Sequence, residues 1–238
     1  MKYMGNKRRI VKEIMPLMLA ELQPGQCFVD AFSGSGTITE NVPQDHRRIA
    51  NDAHRWLIAM WERLTTTDWQ PPTTIEKELY DKVKASWRAD DGKYDDATIG
   101  WIGFMASRSG KWWEAGYSGH NVKGRDYIAE NIRNTTKQIE NLKGVEWHTG
   151  SYADLVIPPN SLIYCDPPYR GTSTYSVSRD FDYDAFYSWC RTKSAEGHTV
   201  FVSEYSMPPD FTEVWHKSIK TTLNPTNTFS VTEKLYKI

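Results

Sequence analysis

The stretch that decides the fold of this chain is Cys27-Phe28-Val29-Asp30-Ala31-Phe32-Ser33-Gly34-Ser35-Gly36. Its first four residues are typical of a short buried strand, and a glycine-containing loop follows at once. Glycines let backbone approach a ligand closely, and the start of a helix, expected near Thr37, offers free amide groups. The pattern therefore predicts a strand, a loop that is either a nucleotide site or a plain turn, and a helix in succession.

The loop lacks one glycine of the dinucleotide-binding pattern, because Thr39 stands where that pattern has its third glycine. A pyrophosphate-bearing ligand is therefore disfavoured, and with it a nicotinamide-dependent dehydrogenase. Asp52 ends the second predicted strand, about sixteen residues past Gly36. A carboxylate there can accept hydrogen bonds from ribose hydroxyls, and it can also cap the helix that follows.

Further strand patterns lie outside this stretch and predict a mostly parallel sheet with helices on both faces, an α/β fold. Residues 66–143 show helical patches and no strand pattern, which indicates an inserted helical subdomain between 1–65 and 144–238. The strand patterns lie near 48–52, 145–148, 161–165, 198–203, 213–220 and 228–237, and the helical patterns at 6–22 and 56–64.

Composition is that of an ordinary soluble protein, with 238 residues, 39% hydrophobic residues and a net charge of -1. No global positive charge signals nucleic acid, so any basic surface must be local. The three cysteines indicate a reduced compartment rather than disulfides or a metal site. Without a span of ~20 apolar residues or a signal sequence, we expect a cytoplasmic protein without a membrane partner.

A second motif, Asp166-Pro167-Pro168-Tyr169, follows the apolar run Leu162-Ile163-Tyr164-Cys165. Ligands of open α/β sheets bind at such strand ends. The prolines fix two φ angles and remove two amide donors, which leaves the Pro167 carbonyl beside the Asp166 carboxylate. Two acceptors and the Tyr169 ring suit a planar heterocycle with an exocyclic amine, although a plain turn with a packed tyrosine also fits.

Taken in order, the motifs resemble the Dam-type adenine-N6 DNA methyltransferases. The residues that carry the resemblance are Tyr3-x-Gly5-x-Lys7, Phe32-x-Gly34-x-Gly36, Asp52, Ser151-Tyr152-Ala153-Asp154 and Asp166-Pro-Pro-Tyr169. In the middle of the chain, Gly110-Lys111-Trp112-Trp113 and Gly116-Tyr117 are similar to phage-borne members. Whether a restriction enzyme accompanies the protein stays open.

The resemblance implies a Rossmann-like fold and S-adenosylmethionine as methyl donor, with no metal. It implies that Asp166, Pro167, Pro168 and Tyr169 form the catalytic motif. It also implies a donor site that includes Asp166 and the glycine loop. The other donor-site residues are Tyr3, Gly5, Lys7, Asp30, Phe32, Ser33, Gly34, Ser35, Gly36, Thr37, Asp52, Ser151, Tyr152 and Asp154.

Methyl transfer to a duplex base requires the base to be flipped out, so part of the chain must grip double-stranded DNA. Residues 66–143 are the candidate target-recognition subdomain, and a polar loop at 170–175 is a candidate lid. Trp112 and Trp113 fit equally well in a helical core. The candidate DNA-binding residues are Arg108, Lys111, Trp112, Trp113, Tyr117, Lys123, Arg125, Arg170, Thr172 and Tyr175.

Three alternatives remain at this point. Cytosine-N4 methylation uses the same geometry, usually with serine in the place of Asp166, and RNA methylation more often has asparagine there. A catalytically silent nucleic-acid-binding module would keep the fold without the donor. A monomer suffices for the chemistry, and a dimer on DNA stays open.

Overall fold

A computed structural model describes residues 1–120, 124–170, 181–224 and 227–238, and only the backbone at 220–224 and 227–229. Seven strands form one sheet in the order β3-β2-β1-β4-β5-β7-β6. The first five of these are parallel, and β7 pairs antiparallel with both β5 and β6. The strands are β1 (Phe28–Asp30), β2 (Arg48–Asp52), β3 (Val145–Thr149), β4 (Leu162–Cys165), β5 (Thr199–Glu204), β6 (Thr212–Asn224) and β7 (Asn227–Lys237).

Six α-helices accompany the sheet in the described residues. They are α1 (Val11–Leu19), α2 (Arg55–Thr66), α3 (Lys77–Ala89), α4 (Asp96–Ala106), α5 (Tyr127–Leu142) and α6 (Tyr183–Ala195). No helix in the described ranges is long and apolar enough to cross a bilayer. The order of strands and helices confirms the predicted Rossmann-like α/β fold.

Alternation along the central strands explains why both faces of the sheet are covered, because successive side chains point to opposite faces. Phe28, Leu162 and Phe201 belong to one core cluster, which includes the buried face of α1. Their neighbours Val29 and Ile163 belong to the cluster on the other face, which α6 covers. The short apolar runs of the sequence are therefore two-sided strands rather than buried helices.

Residues 66–143 hold α3, α4 and α5 and, among the described residues, no strand beyond an isolated bridge between Ser107 and Tyr117. These helices share one core cluster with α2, β2 and β3. The guanidinium of buried Arg48 on β2 donates to the carbonyls of Asn141 and Lys143, at the end of α5. The segment is thus packed onto the sheet, and its role as a recognition subdomain stays a prediction.

Two helix predictions differ from the structure. The helix expected near Thr37 is only a 3-10 turn, Thr39–Asn41, because Pro43 forces an extended conformation on Val42 and ends the turn. The helical pattern at 6–22 is divided into a 3-10 turn, Lys7–Arg9, and α1. Ile10 separates them with φ -124°, outside the helical region.

Candidate active site

The loops that follow β1 and β4 leave the sheet side by side. Asp30 of β1 lies opposite Tyr164 of β4 in the parallel register, so both chains reach the same edge. The Ala31 amide donates to the Tyr164 carbonyl at 2.9 Å and continues the pairing into the loop. The two motifs singled out in the sequence therefore meet at the carboxyl edge of the sheet, where α/β proteins bind ligands.

The glycine loop follows a tight path that needs its glycines. Gly34 and Gly36 have φ of +47° and +68°, which side-chain-bearing residues rarely adopt. A Cβ atom on Gly34 would lie 2.9 Å from the Tyr3 ring, and one on Gly36 would lie 3.2 Å from the Leu142 side chain. The loop is thus enclosed between the N-terminal segment and the end of α5.

The N-terminal motif lies against both loops. Tyr3 packs on Gly34, and the Thr37 hydroxyl donates to the Asn6 side chain at 3.1 Å. Gly5 has a φ of +80° and turns the chain between them. Lys7 is buried and reaches the second loop. Three of the predicted donor-site residues are therefore assembled around the glycine loop.

Asp52 is positioned to shape the glycine loop. Its carboxylate accepts the Gly34 amide and the His54 amide, each at 2.9 Å, so it fixes the loop and the start of α2 together. Burial raises the pKa of the Asp52 carboxyl. The N-cap of α2 is His54, whose ring accepts the Leu57 amide, so Asp52 holds the capping residue in place and is not itself the cap. The ribose contact of Asp52 stays a prediction.

Asp30 places an incompletely satisfied carboxylate under the same loop. Its side chain is 1% exposed, and Oδ2 accepts the Thr39 hydroxyl at 2.8 Å. Oδ1 has no hydrogen-bond partner within the described part of the chain, and neither does the buried hydroxyl of Ser33. Burial raises the pKa of Asp30 to about 7. Buried polar atoms without partners indicate a place where a ligand donates hydrogen bonds.

The catalytic motif is held around a cation. The Lys7 ammonium lies 2.8 Å from Oδ1 of Asp166 and 4.5 Å from the centroid of the Tyr169 ring. Burial raises the pKa of Asp166 to about 6, while the Lys7 ammonium lowers it and the Glu233 carboxylate raises it further. The site thus holds a carboxylate, a cation and an aromatic face within a few ångströms.

The proline carbonyls of the motif differ in their partners. The Pro168 carbonyl accepts the Tyr183 hydroxyl at 2.9 Å. Among the described residues, no hydrogen bond reaches the Pro167 carbonyl. The acceptor that the sequence predicted beside Asp166 is therefore not used by the hydrogen bonds of the described residues, and its contact with a ligand stays a prediction.

The segment 151–154 is brought only partly to the site. The Tyr152 ring lies 5.2 Å from the ring of Phe32, which follows β1 directly. Ser151 caps the 3-10 turn Tyr152–Asp154 through the Ala153 amide, and the Ser151 and Asp154 side chains are exposed. Phe32 and Tyr152 form an apolar wall beside the glycine loop, while the donor contacts of Ser151 and Asp154 stay predictions.

Trp112 and Trp113 require a correction as candidate DNA-stacking residues. Their exposed fractions are 8% and 4%, and their rings pack in the core formed with α2, α3 and α4. Trp112 lies 4.3 Å from the His54 ring, and Trp113 lies 5.0 Å from the Tyr80 ring. Rings packed in this way have no face for a base, so the alternative of a helical core describes them.

The cationic candidates remain at the surface. Arg108 and Lys111 are exposed, and Arg108 donates through Nε to the Tyr117 carbonyl. Arg125 is exposed and pairs with Glu130. Arg170 is exposed, with its guanidinium 5.5 Å from the Tyr183 ring. Tyr117 is half-buried and donates to the Ile75 carbonyl, while Lys123, Thr172 and Tyr175 lie outside the described residues.

Two carboxylates near the motif were missed in the sequence. Glu204 ends β5 and accepts the amides of Tyr205 and Arg170, at 2.7 and 3.2 Å. Burial raises its pKa to about 7. Glu233 of β7 accepts the Tyr169 hydroxyl at 2.8 Å. Glu204 follows a buried strand just as Asp166 does and could have been found on that signal, whereas nothing local distinguishes Glu233.

Among the comparisons with known proteins, a family model identifies the class of chemistry. The family model of D12 class N6 adenine-specific DNA methyltransferases matches residues 3–96 and 114–234. No curated protein matches the chain significantly. No group of side chains that could hold a metal ion occurs in the described ranges.

Solved structures resemble the chain only distantly. A protein from Escherichia coli assigned as the methyltransferase yhhF is 8% identical, with a TM-score of 0.38 over 96% of this chain and 84% of that one. A protein from Haemophilus influenzae assigned as a methylase is 10% identical, with a TM-score of 0.37 over 96% of this chain and 88% of that one. A protein from Pyrococcus horikoshii assigned as an RNA methyltransferase is 12% identical, with a TM-score of 0.42 over 98% of this chain and 84% of that one. TM-scores this low give no information on function, so the functional assignment rests on the family match.

Proposed function

Because the chain belongs to the D12 class of N6 adenine-specific DNA methyltransferases, we propose that it methylates an adenine flipped out of duplex DNA onto Asp166 and Tyr169. Family membership makes the protein an enzyme that uses S-adenosylmethionine and acts on the N6 amine of adenine. The duplex, the flipped base and the residue roles below are the proposal.

One observation carries the assignment of the base site. The Lys7 ammonium is ion-paired with Asp166 and lies over the Tyr169 ring, so the site already holds a nitrogen cation against an aromatic face. An adenine base needs the same two partners, an acceptor for the N–H groups of its amine and an aromatic ring on which it can stack. Stacking on an aromatic ring contributes ~1–3 kcal/mol per base, which offsets the few kcal/mol that flipping costs.

The carboxylate and the carbonyl then act on the amine. The lone pair of the amine is delocalised into the adenine ring, so the nitrogen is a poor nucleophile. Accepting its two N–H groups on Asp166 and the Pro167 carbonyl favours a pyramidal nitrogen with a localised lone pair. A preorganised carboxylate also stabilises the positive charge that develops on the amine. Proton loss to Asp166 or to water can follow.

The glycine loop and its neighbours fit the methyl donor. S-adenosylmethionine supplies an electrophilic methyl group when it is bound. The free Oδ1 of Asp30 and the Ser33 hydroxyl offer hydrogen-bond partners, and Gly34 and Gly36 bring backbone close. Asp52 would accept ribose hydroxyls at the end of β2. Phe32 and Tyr152 would cover an apolar face of the donor.

Entry of the base requires the Lys7 side chain to move. The amine and the Lys7 ammonium would compete for the same oxygen of Asp166, and the base would compete for the Tyr169 face. Lys7 lies in a 3-10 turn beside the glycine loop, so its movement would be felt at the donor site. The N-terminal segment thus connects the two substrate sites.

Exposed cations supply the grip on DNA in this proposal. Arg108, Lys111, Arg125 and Arg170 carry charges that can neutralise phosphates, and arginines can also read guanine edges. The residues at 108–111 lie against the N-terminal segment, because a Cβ on Gly110 would meet the Lys2 carbonyl at 2.5 Å. This proximity places Arg108 and Lys111 beside the N-terminal segment that also carries Lys7.

Methylated-base analysis tests the proposal directly. Purified protein would be incubated with duplex DNA and isotope-labelled donor, and the nucleosides would be identified by mass spectrometry. We expect label in N6-methyladenine only, and no transfer by Asp166→Ala despite measurable donor binding by calorimetry. Label in N4-methylcytosine, transfer to RNA alone, or full activity of Asp166→Ala would contradict it. Absence of donor binding by the wild type would indicate a silent binding module.

A further inference from the structure

The side chain of Glu233 reaches the catalytic motif from a strand that carries none of the predicted site residues. β7 lies beside β5, with Lys234 opposite Glu204 in the antiparallel register. Glu233 accepts the Tyr169 hydroxyl at 2.8 Å. The two residues are separated by 64 positions in the chain, so only the folded sheet brings them together.

We propose that Glu233 is a positioning residue for methyl transfer, which fixes the ring of Tyr169 through its hydroxyl and places a negative charge at that end of the catalytic motif. The inference rests on the proposed function, in which Tyr169 stacks on the target base and Asp166 holds its amine. It assigns a role to β7 that neither loop of the site supplies.

The geometry around Tyr169 supports this role. Its hydroxyl is bonded to Glu233, and its ring meets the Tyr205 ring at 4.6 Å and 80°, an edge contact. Tyr205 is itself held by its amide, which donates to Glu204. A ring fixed at its hydroxyl and along one side keeps its plane while a base arrives. Preorganisation of this kind lowers the cost of binding.

The pairing within the hairpin leaves Glu233 available for Tyr169. Lys217 lies opposite Glu233 in the β6–β7 register, but its ammonium pairs with Glu13 of α1. The described residues provide no ion pair for Glu233. By contrast, Glu213 of β6 forms an ion pair across the hairpin with Lys234 of β7. Glu233 therefore contributes its carboxylate to the site rather than to the hairpin.

The charge of Glu233 acts on Asp166. Its carboxylate raises the pKa of Asp166, against the Lys7 ammonium, which lowers it. Removal of this negative charge therefore lowers the pKa of Asp166 and keeps it ionised to a more acidic pH. The other titratable groups that face Asp166 keep their side chains in that substitution, and they are Lys7, Asp30, Tyr164, Cys165, Tyr169, Glu204 and Tyr205.

A set of substitutions separates the two parts of the role. Glu233→Gln keeps an acceptor and removes the charge, Glu233→Ala removes both, and Tyr169→Phe removes the donor. Glu213→Gln, in the same hairpin, is the matched control. kcat, KM for DNA, Kd for the donor and the pH profile of kcat/KM would be measured for each, with thermal unfolding as a check of folding.

We expect Glu233→Ala and Tyr169→Phe each to lower kcat/KM for DNA about tenfold with an unchanged donor Kd. At high pH, where Asp166 is ionised with or without the charge of Glu233, their combination should cost no more than Tyr169→Phe alone, since the bond to Glu233 is already lost with the Tyr169 hydroxyl. Glu233→Gln should stay within about threefold of the wild type at high pH, with its acid limb moved to lower pH. Glu213→Gln should match the wild type throughout.

Additive losses in the double variant, or an acid limb of Glu233→Gln that coincides with the wild type, would overturn the inference. So would wild-type kinetics of Glu233→Ala. If Glu233→Ala does not fold, Tyr169→Phe and Glu233→Gln still decide the two parts. A wild type that transfers no methyl group to adenine would instead refute the proposed function, which keeps the two failures distinct.

Discussion

Lys7 and Asp166 form an ion pair of 2.8 Å at the centre of the site, although most of the chain separates them. Both groups are largely withdrawn from solvent, with 8% and 18% of their side chains exposed. Without this partner, the buried carboxyl group would stay protonated and neutral up to a higher pH, because burial disfavours the charged form. The pair therefore keeps Asp166 ready as an acceptor before the base arrives.

The first prediction concerns this pair. Lys7→Met retains an apolar stem and removes the charge, which raises the pKa of Asp166 from about 6 by roughly 1–2 units. Because Asp166 accepts the amine only when ionised, the acid limb of kcat/KM should move to higher pH. Activity at pH 6.5 should fall about tenfold or more, with recovery as the pH approaches 9. Lys7→Arg, which keeps the charge, should retain the wild-type acid limb. An acid limb of Lys7→Met at the same pH as that of the wild type would contradict the prediction.

The second prediction concerns the buried charge of Asp30, whose pKa is raised by burial to about 7. The unfolded chain releases this proton near pH 4, so the folded state binds more protons between about pH 4 and 7 and loses stability as the pH rises through that window. Asp30→Asn removes the buried charge and should raise the free energy of unfolding at pH 8 by roughly 1–3 kcal/mol. The gain should disappear near pH 4.

Denaturant unfolding at several pH values measures the free energy of unfolding. Calorimetric titration with S-adenosylmethionine measures the affinity for the donor. Affinity for S-adenosylmethionine should fall, since asparagine uses its one oxygen to accept from Thr39 and presents an NH2 donor in place of the acceptor Oδ1 of Asp30. The matched substitution Asp45→Asn, at an exposed aspartate, should change neither quantity. A variant that is less stable at pH 8 than the wild type would refute the argument.

The third prediction separates backbone strain from steric contact in the glycine loop. Gly34→Ala places a Cβ 2.9 Å from the Tyr3 ring at a φ of +47°. Gly25→Ala has a φ of +80° and no atom within 4 Å, so it reports strain alone. We expect Gly25→Ala to cost about 1 kcal/mol of stability with no effect on KM for the donor. Gly34→Ala should cost more and raise that KM at least tenfold, and equal kinetics for the two variants would contradict it.

The architecture was largely predictable from the sequence, for a physical reason. Strands buried on both faces must be continuous apolar runs, and such runs stand out at 27–30, 161–165 and 198–203. The glycines and Asp166 follow those runs directly, so their position at the sheet edge follows from the pattern. The helix expected at Thr37 failed because a proline six residues on outweighs local helical periodicity.

The contacts across the chain were not predictable. Trp112 and Trp113 sit among charged and glycine residues without helical spacing, so their burial depends on the groove between α2, α3 and α4. Glu233 lies in a strand of mixed polarity, and its partner depends on the register of β7 against β5. The ion pair of Lys7 with Asp166 requires the N-terminal turn to dock on the glycine loop. Sequence patterns indicate which residues leave a strand, and tertiary packing decides what they meet.

The last prediction tests the DNA-binding surface. Lys111→Ala removes an exposed cation from the loop that rests on the N-terminal segment. If it contacts a phosphate, affinity should fall about equally for all DNA sequences, and the slope of log K against log salt should shrink by about one. Arg47→Ala is the control, because Arg47 precedes β2 at the opposite edge of the sheet and pairs with Glu146. Fluorescence anisotropy with labelled duplex at several salt concentrations gives both quantities. An unchanged slope for Lys111→Ala, or an equal loss for Arg47→Ala, would remove residues 108–111 from the DNA interface and leave the recognition surface to be sought elsewhere on the carboxyl edge.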